Sequence, residues 1–452
     1  MRKFTHSDIE EALGRGFEFQ GIPPAEAMEV CVDTRILKEG DLFVGLKGGD
    51  SPEIAAKAAE QGARACVLSC ECGALPCYRV VDTVKALQDL AAYQRARVQI
   101  PMVAVTGSCG KTTTKNMLGS ILGTVGETLV TKGNLNNEIG LPLTLLRLGS
   151  EYACAVVEMG MNHKGEILAL SRLARPEAAV ITNIGSAHIE FLGSRENIAE
   201  AKGEIFRGLP PCGRVALPYE CDFFEKLSNM AKLLGLSVLS FGKGGDVEFS
   251  IKKESGEGLK GELRTPKGYA EMTVPVLGGY NALNIAAAAA GSLALLPDIA
   301  LENIKKGLEN VQGERLRNEI HKALGATFIL DCYNANPDSL SASLGMLKNM
   351  PCEGRKIAFL GDMLEIGEKA REAHYAAGLA AGEFLDALFI IGENAEHYKT
   401  GALAAGRGCR VEICRPENAA EKLAESISSG DLILFKGSRA NKLEDYFFAL
   451  EK

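Results

Sequence analysis

VAVTGSCGKTTTKNML, Val103–Leu118, runs from an unbroken apolar strand through a glycine-bearing turn straight into a helix that starts near Gly110. The first amides of such a helix have no partner within it and carry partial positive charge, so they can cradle phosphates. Gly107 and Gly110 let backbone approach a ligand closely, with Ser108 and Cys109 in the turn between them. Lys111 can reach the β- and γ-phosphates, and Thr112 or Thr113 can place a hydroxyl on Mg²⁺. The strict spacing of this motif would put glycine where Val105 stands, so this is a shorter variant. An ordinary strand-to-helix turn that happens to contain Gly-Lys-Thr is the bland alternative. The coincidence of strand, turn, lysine, hydroxyl run and helix favours a nucleoside triphosphate site.

Outward from this loop the same alternation continues. Strand-like runs (ETLVT, ACAVVEM, AAVITNI) alternate with helical ones (KGEILALSRLA, SRENIAEAKGEIFRGL), which implies βαβ units and a doubly wound, mostly parallel sheet. Asn281–Leu295, rich in alanine, reads as a helix. After the QGERLR stretch the pattern resumes with ATFILDCYN, KIAFLGDM, ALFIIGEN and LILFKGS, each followed by a helical stretch. Before the loop, DLFVGL reads as a strand and PEIAAKAAEQGA as a helix ending at Gly62. The expected fold is α/β in three domains. These are a small α/β substrate-binding domain (1–99), a central P-loop domain (100–312) and a C-terminal Rossmann-like domain (313–452). No G-x-G-x-x-G follows the last set of strands, which argues against a dinucleotide cofactor.

Composition narrows the classes. At ~100–200 residues per domain, 452 residues suggest two to four domains. A formal charge of −8 leaves no basic footprint for nucleic acid. The first residues, MRKFTHSDIEEALG, lack the apolar stretch of a signal peptide, and no run is long enough for a membrane span. Thirteen cysteines, an odd number with no regular spacing, read as the reduced thiols of a cytoplasmic protein. The group Cys66, Cys70, Cys72 and Cys77 could bind zinc, but CxxC pairs are absent and Cys66 sits in an apolar run. No repeat or heptad suggests an oligomer, so a monomer is expected.

Further residues give the loop a context. Glu158 ends an apolar strand beside the loop's strand and can hold the Mg²⁺ that bridges β- and γ-phosphates, unless it is a surface strand-end carboxylate. His188 follows another strand; by itself it reads as a core or surface histidine. Lys202 lies on the following helix, where a lysine is normally solvated. Thr131–Leu146 carries Asn134, Asn136, Asn137 and Glu138 ahead of a helix start at Pro142. Asparagine-rich loops are usually turns, though this one could line a substrate channel.

Taken in order, TGSCGKTTT, GNLNNEIGLP, VVEMGMNHKGEI, TNIGSAHIEFLGSRENIAEAKGEI and GGYNALNI resemble the Mur ligase family over nearly the whole chain. The family makes the peptide stem of cell-wall precursors by ATP-dependent amide formation. DCYNANPDSLSASL, LGDMLEIGEKAREAH and FKGSRANKLE are similar to the branch that adds D-alanyl-D-alanine to UDP-N-acetylmuramoyl-tripeptide. That resemblance implies ATP and two Mg²⁺ ions held by Thr112, Thr113, Glu158, His188 and Lys202, with Lys111 and Lys202 catalytic. Lys202 matches a lysine carbamylated in several relatives. It implies nucleotide contacts from Gly107–Thr113, Asn281, Asn284, Arg315, Asp331 and Asn334, with Tyr280 where histidine is common. Substrate contacts would come from Asp33, Thr34 and Arg35 in the first domain and from Asn134, Asn136, Asn137 and Glu138. Tyr333, Asn336 and Ser339 would add to these, with Lys436, Ser438 and Arg439 on the amino-substrate side. Asp50 and Ser51 stand where relatives carry an Asp-Gly-His-like turn, and the Gly313–Arg317 stretch departs from the commoner Gly-Arg pair.

Within enzymes the rivals are a folylpolyglutamate synthase or an earlier Mur ligase. The VDTR-bearing first domain disfavours the former and YNANPDS the latter. From another class, a P-loop regulatory ATPase would hydrolyse ATP without any dipeptide.

Overall fold

The computed structural model describes residues 3–450. Four sheets form along the chain. The first, five-stranded, has the order Phe17–Gln20, Cys77–Val80, Ala65–Leu68, Leu42–Val44, Val30–Cys31, with only the first pair antiparallel. The second carries six parallel strands in the order Ser237–Phe241, Arg214–Pro218, Ala178–Ile181, Met102–Thr106, Cys154–Glu158, Thr128–Val130. A three-stranded antiparallel sheet follows (Glu248–Ser255, Gly258–Thr265, Gly268–Val274), and the sequence reading did not foresee it. The last sheet has the order Glu319–Ala323, Ala326–Leu330, Leu432–Lys436, Lys356–Leu360, Ala387–Ile390, Arg410–Ile413. It is parallel apart from its first pair.

The second sheet positions the site. Met102–Thr106 is fully buried and lies between Cys154–Glu158 on one side and Ala178–Ile181 on the other. After this strand the chain runs to the edge at Thr128–Val130, returns inward with Cys154–Glu158, then crosses to the other side and builds outward. That reversal opens a crevice at the carboxyl ends of the central strands. Glu158 pairs with Val105 in register, and Ile181 pairs with Thr106, so the segments after all three strands emerge together.

One face of this sheet is covered by the helices Lys111–Leu122 and Asn281–Leu295. Met117, Leu118, Ile121 and Leu122 of the first pack with Ala286–Ala290 and Leu293 of the second. The alanine run lets that helix lie close to the strands. At Gly291 even a Cβ would stand 2.6 Å from Val180 Cγ2. Each fully buried Leu or Met on this face contributes ~1.5–3 kcal/mol, so the start of the phosphate-loop helix is held rigidly. Glu166–Ala174 and Arg195–Gly203 cover the opposite face. No helix among the described residues is long and apolar enough to cross a membrane.

Candidate functional site

The turn after Met102–Thr106 is shaped by two glycines. Gly107 has φ 152°, and a Cβ there would stand 1.8 Å from Thr182 Oγ1. Gly110 has φ 77°, with a Cβ position 2.2 Å from Asn284 Oδ1. Neither site accepts a side chain. The turn is braced from the strand beside it: Cys109 N–H donates to Asn183 Oδ1 (2.8 Å) and Thr182 Oγ1 donates to Cys109 O (2.5 Å). The helix Lys111–Leu122 begins with no side chain capping its amides, so its first turn stays open for an anion. Lys111 curls back over the turn, donating to Gly107 O (2.8 Å) and Ser108 O (3.4 Å). Burial pulls its ammonium below the ordinary lysine value, partly offset by Glu158. Thr112 is buried and Thr113 half-buried, and both line the cavity.

Glu158 and His188 line the cavity with Lys111, and Lys202 is buried close to Lys111 without lining it. Glu158 is 2 % exposed; its Oε1 accepts from Asn136 Nδ2 (2.7 Å) while Oε2 has no partner. His188 takes a left-handed backbone, φ 64°, and its Nδ1 lies 3.4 Å from Glu365 without making a hydrogen bond. Burial, with Lys111 and Lys202 nearby, pushes its ring down to about 3. The imidazole is therefore neutral, the form that ligates metals. Lys202, 1 % exposed, has its ammonium driven well below the ordinary value by burial and by Lys111. A buried carboxylate oxygen and a neutral imidazole nitrogen, both without hydrogen-bond partners and on residues lining one cavity, suit a divalent cation, so these residues fit Mg²⁺. Among the described residues no ready-made cluster of three His, Cys, Asp or Glu ligands exists. Water and phosphate oxygens would have to complete the shell, which is how Mg²⁺ is commonly held.

The walls of the cavity, about 680 Å³, come from both the central and the C-terminal domains. Asn134, Asn136, Asn137 and Glu138 line one side, and Tyr280 and Asn284 line another. Asn281 is buried beneath, with its Oδ1 accepting from Asn284 Nδ2 (2.7 Å), and it borders an adjoining cavity of about 200 Å³. Asp331, Tyr333, Asn334, Asn336, Ser339 and Lys436 close the cavity from the last sheet. Asn336 caps the helix Pro337–Asn349, its Oδ1 accepting from Ser339 N–H (2.8 Å). Lys436, 3 % exposed, pairs with Asp331 Oδ2 at 2.7 Å.

Several expected residues lie elsewhere. Arg315 packs over the Phe448 ring (5.9 Å) and does not line the cavity. Arg317 does line it, stacked 4.4 Å over Tyr333. Both arginines sit in an irregular linker whose side-chain directions follow no period, and Leu316 between them turns left-handed (φ 62°). Ser438 accepts from Leu364 N–H (2.9 Å) and donates to Ala335 O (3.2 Å), bracing a cavity loop from behind. Arg439 pairs with Glu444, away from the cavity. Asp33, Thr34 and Arg35 lie on the first domain, outside this cavity; Arg35 salt-bridges Asp33 (2.6 Å) and draws its carboxyl down to about 2. Cys66, Cys72 and Cys77 are buried in an apolar cluster with Cys70 at its edge. Asn183 and Asp338 also line the cavity. The sequence reading assigned neither a role, although Asn183 lies within TNIGSAHIEFLGSRENIAEAKGEI and Asp338 within DCYNANPDSLSASL.

Two family descriptions match the chain: Mur ligase middle domain over residues 105–291, and Mur ligase, glutamate ligase domain over 316–439. The UDP-N-acetylmuramoyl-tripeptide–D-alanyl-D-alanine ligase of Bacillus subtilis is 38 % identical over 430 residues, covering 92 % of this chain and 91 % of that protein. The crystal structure of MurF from Acinetobacter baumannii superposes with TM-score 0.91 at 33 % identity, with both chains wholly covered. MurF ligase from Thermotoga maritima, solved in complex with ADP, has TM-score 0.81 at 28 % identity, covering 94 % of this chain and 97 % of that one.

Proposed function

We infer that this chain, which belongs to the Mur ligase family, joins D-alanyl-D-alanine to UDP-N-acetylmuramoyl-tripeptide, cleaving ATP to ADP and phosphate. The product is the UDP-muramoyl-pentapeptide precursor of peptidoglycan, made in the bacterial cytoplasm. The observation that carries this reading is the shared cavity: the phosphate turn forms one wall, and the Asp331–Ser339 segment of the C-terminal domain faces it.

The terminal carboxylate of the tripeptide attacks the γ-phosphorus of ATP, and ADP leaves as the acyl phosphate forms. The amine of the dipeptide then attacks the acyl carbon, and phosphate leaves as the amide forms. Bound Mg²⁺ would neutralise charge on the transferring phosphoryl group. Glu158 and His188 are the proposed protein ligands, with Thr112 or Thr113 on the phosphate side. Lys111 and the free amides of its helix hold the phosphate oxygens and offset the charge that develops between them. Lys202 is the proposed site of carbamylation. A buried, unprotonated amine adds CO₂ and loses a proton, which turns a neutral amine near Lys111 into an anionic carbamate. Arg317, Asn281, Asn284 and Tyr280 border the nucleotide. Asn134–Glu138 approach the acyl substrate, while Asn336, Ser339 and Lys436 are placed toward the dipeptide. Asp33, Thr34 and Arg35 are proposed to serve the uridine nucleotide on the 1–99 domain. Closure of 313–452 on 100–312 excludes water, which would otherwise hydrolyse the acyl phosphate.

The test is phosphate release with ATP, measured with each substrate alone and with both together. The expected result is turnover only with both, and a pentapeptide product by mass. ATP hydrolysis indifferent to both substrates would overturn the ligase reading.

A further inference from the structure

Gly185 and Ser186 lie three and two residues before His188, and they touch the phosphate turn and the C-terminal domain. Gly185 N–H donates to Ser108 Oγ (2.9 Å), tying the segment to the turn that surrounds the phosphates. On its other side, the N–H and the hydroxyl of Ser186 both donate to one oxygen of Asp338, at 2.8 and 2.9 Å. Asp338 stands in the first turn of the helix Pro337–Asn349, two residues after the Asn336 cap. A Cβ on Gly185 would lie 2.4 Å from that carboxylate oxygen, so the Asp338 side chain packs directly on the Gly185 backbone.

We propose that Asp338 is a positioning residue for the phosphoryl-transfer site: by clamping Ser186 it fixes the Gly185–His188 turn, and with it His188 and the Ser108 edge of the phosphate turn. Three observations support this role. His188 is held in a left-handed backbone uncommon for a residue with a side chain, and although it stands at the start of the short helix Ile189–Leu192 its imidazole makes no capping bond to it. A second contact from the C-terminal domain, Glu365 facing His188, falls on the same turn. Finally, a carboxylate that takes two hydrogen bonds from one residue is among the stronger polar contacts available, and it fixes direction as well as distance. The metal-side histidine is thus aligned by the domain that brings the amino substrate. Phosphoryl transfer is thereby tied to domain docking, and a productive geometry forms only when the site is covered. Misplacement of a reacting group by ~1 Å from a remote change can cost on the order of 10²-fold in rate.

This inference rests on the ligase reading above, so wild-type phosphate release with both substrates is the reference; its failure would sink that reading and not this one. Asp338→Ala is expected to lower kcat by ~10–100-fold while KM for ATP stays within about threefold. Asp338→Asn, which keeps an acceptor oxygen, should recover most of the loss. Gly185→Ala reaches the same contact from the central domain without touching the C-terminal helix, and it should lower kcat similarly. In the double variant Gly185→Ala/Asp338→Ala the two losses should not multiply, because removing the carboxylate removes the clash. A readout independent of turnover is amide exchange in the peptide spanning 184–192, expected to speed up in Asp338→Ala before any ligand is added. Unchanged kcat, a raised KM for ATP at full kcat, unaltered exchange, or multiplying losses would each overturn the proposal.

Discussion

Lys202 is the residue whose surroundings are hardest to reconcile with a simple cation. It is buried, it faces Lys111, and both burial and that neighbour oppose its charge. An uncharged amine in such a place is the form that adds CO₂, and an anion there would relieve the repulsion between two lysines. Lys202→Ala is therefore expected to lose at least ~10²-fold in phosphate release with both substrates present. Short carboxylates such as formate or acetate should restore part of that activity by occupying the vacated space. Absence of any rescue, with the variant folded by circular dichroism, would count against the carbamate. The sequence put Lys202 on a helix, but the burial that makes it reactive came from the packing of the Arg195–Gly203 helix against the sheet.

At the scale of elements, the loop that follows Lys356–Leu360 illustrates how a buried histidine can shape a site it does not enter. His374 is fully buried on the helix Ala370–Gly382. Its Nε2 accepts from Met363 N–H (3.0 Å), and its Nδ1 bonds Ala370 O (2.6 Å), which requires the neutral ring. Together these bonds hold the segment carrying Glu365 against His188. Burial keeps the imidazole below its ordinary value of about 6.5, even with Asp362 close by. Because the folded-state value is the lower one, the unfolded chain takes up the proton first. The stabilisation is complete above about pH 6.5 and declines as pH falls below it. His374→Ala is expected to cost on the order of 2 kcal/mol at pH 7.5. Its melting temperature should also fall less steeply than wild type between about pH 6.5 and 5. Parallel curves from thermal scans across that range would show that His374 is not the titrating group.

For the whole molecule, the separation of Asp33, Thr34 and Arg35 from the cavity around Lys111 has a measurable consequence. Nucleotide binding and uridine-nucleotide binding fall on different domains in the proposed scheme. Lys111→Ala should therefore abolish turnover and most of the stabilisation by ATP. In wild type, ATP at 100 times its Kd adds ~2.7 kcal/mol. Calorimetric affinity for the UDP-muramoyl tripeptide should change by less than about threefold. Loss of that affinity first would mean the domains had been assigned to the wrong ligands.

What was legible in the amino-acid order was whatever local chemistry dictates. The strand-turn-helix around Gly107–Thr113 could be read because glycine conformations and apolar runs are properties of a few consecutive residues. The same holds for Asn281–Leu295 and for the four strand runs read after QGERLR, all of which form strands. Glu158 could be read as a strand-end metal ligand, whereas His188 alone read as a core or surface histidine. Only tertiary structure left their Oε2 and Nδ1 without partners in one crevice, because sheet order depends on pairing between strands far apart in sequence. The choice of Arg317 over Arg315 likewise depended on the path of an irregular linker, which no periodicity constrains. The contact between Asp338 and Ser186 joins residues 152 positions apart. It exists because two separately folded sheets meet there, and a sequence pattern of either domain alone carries no trace of where the other will dock.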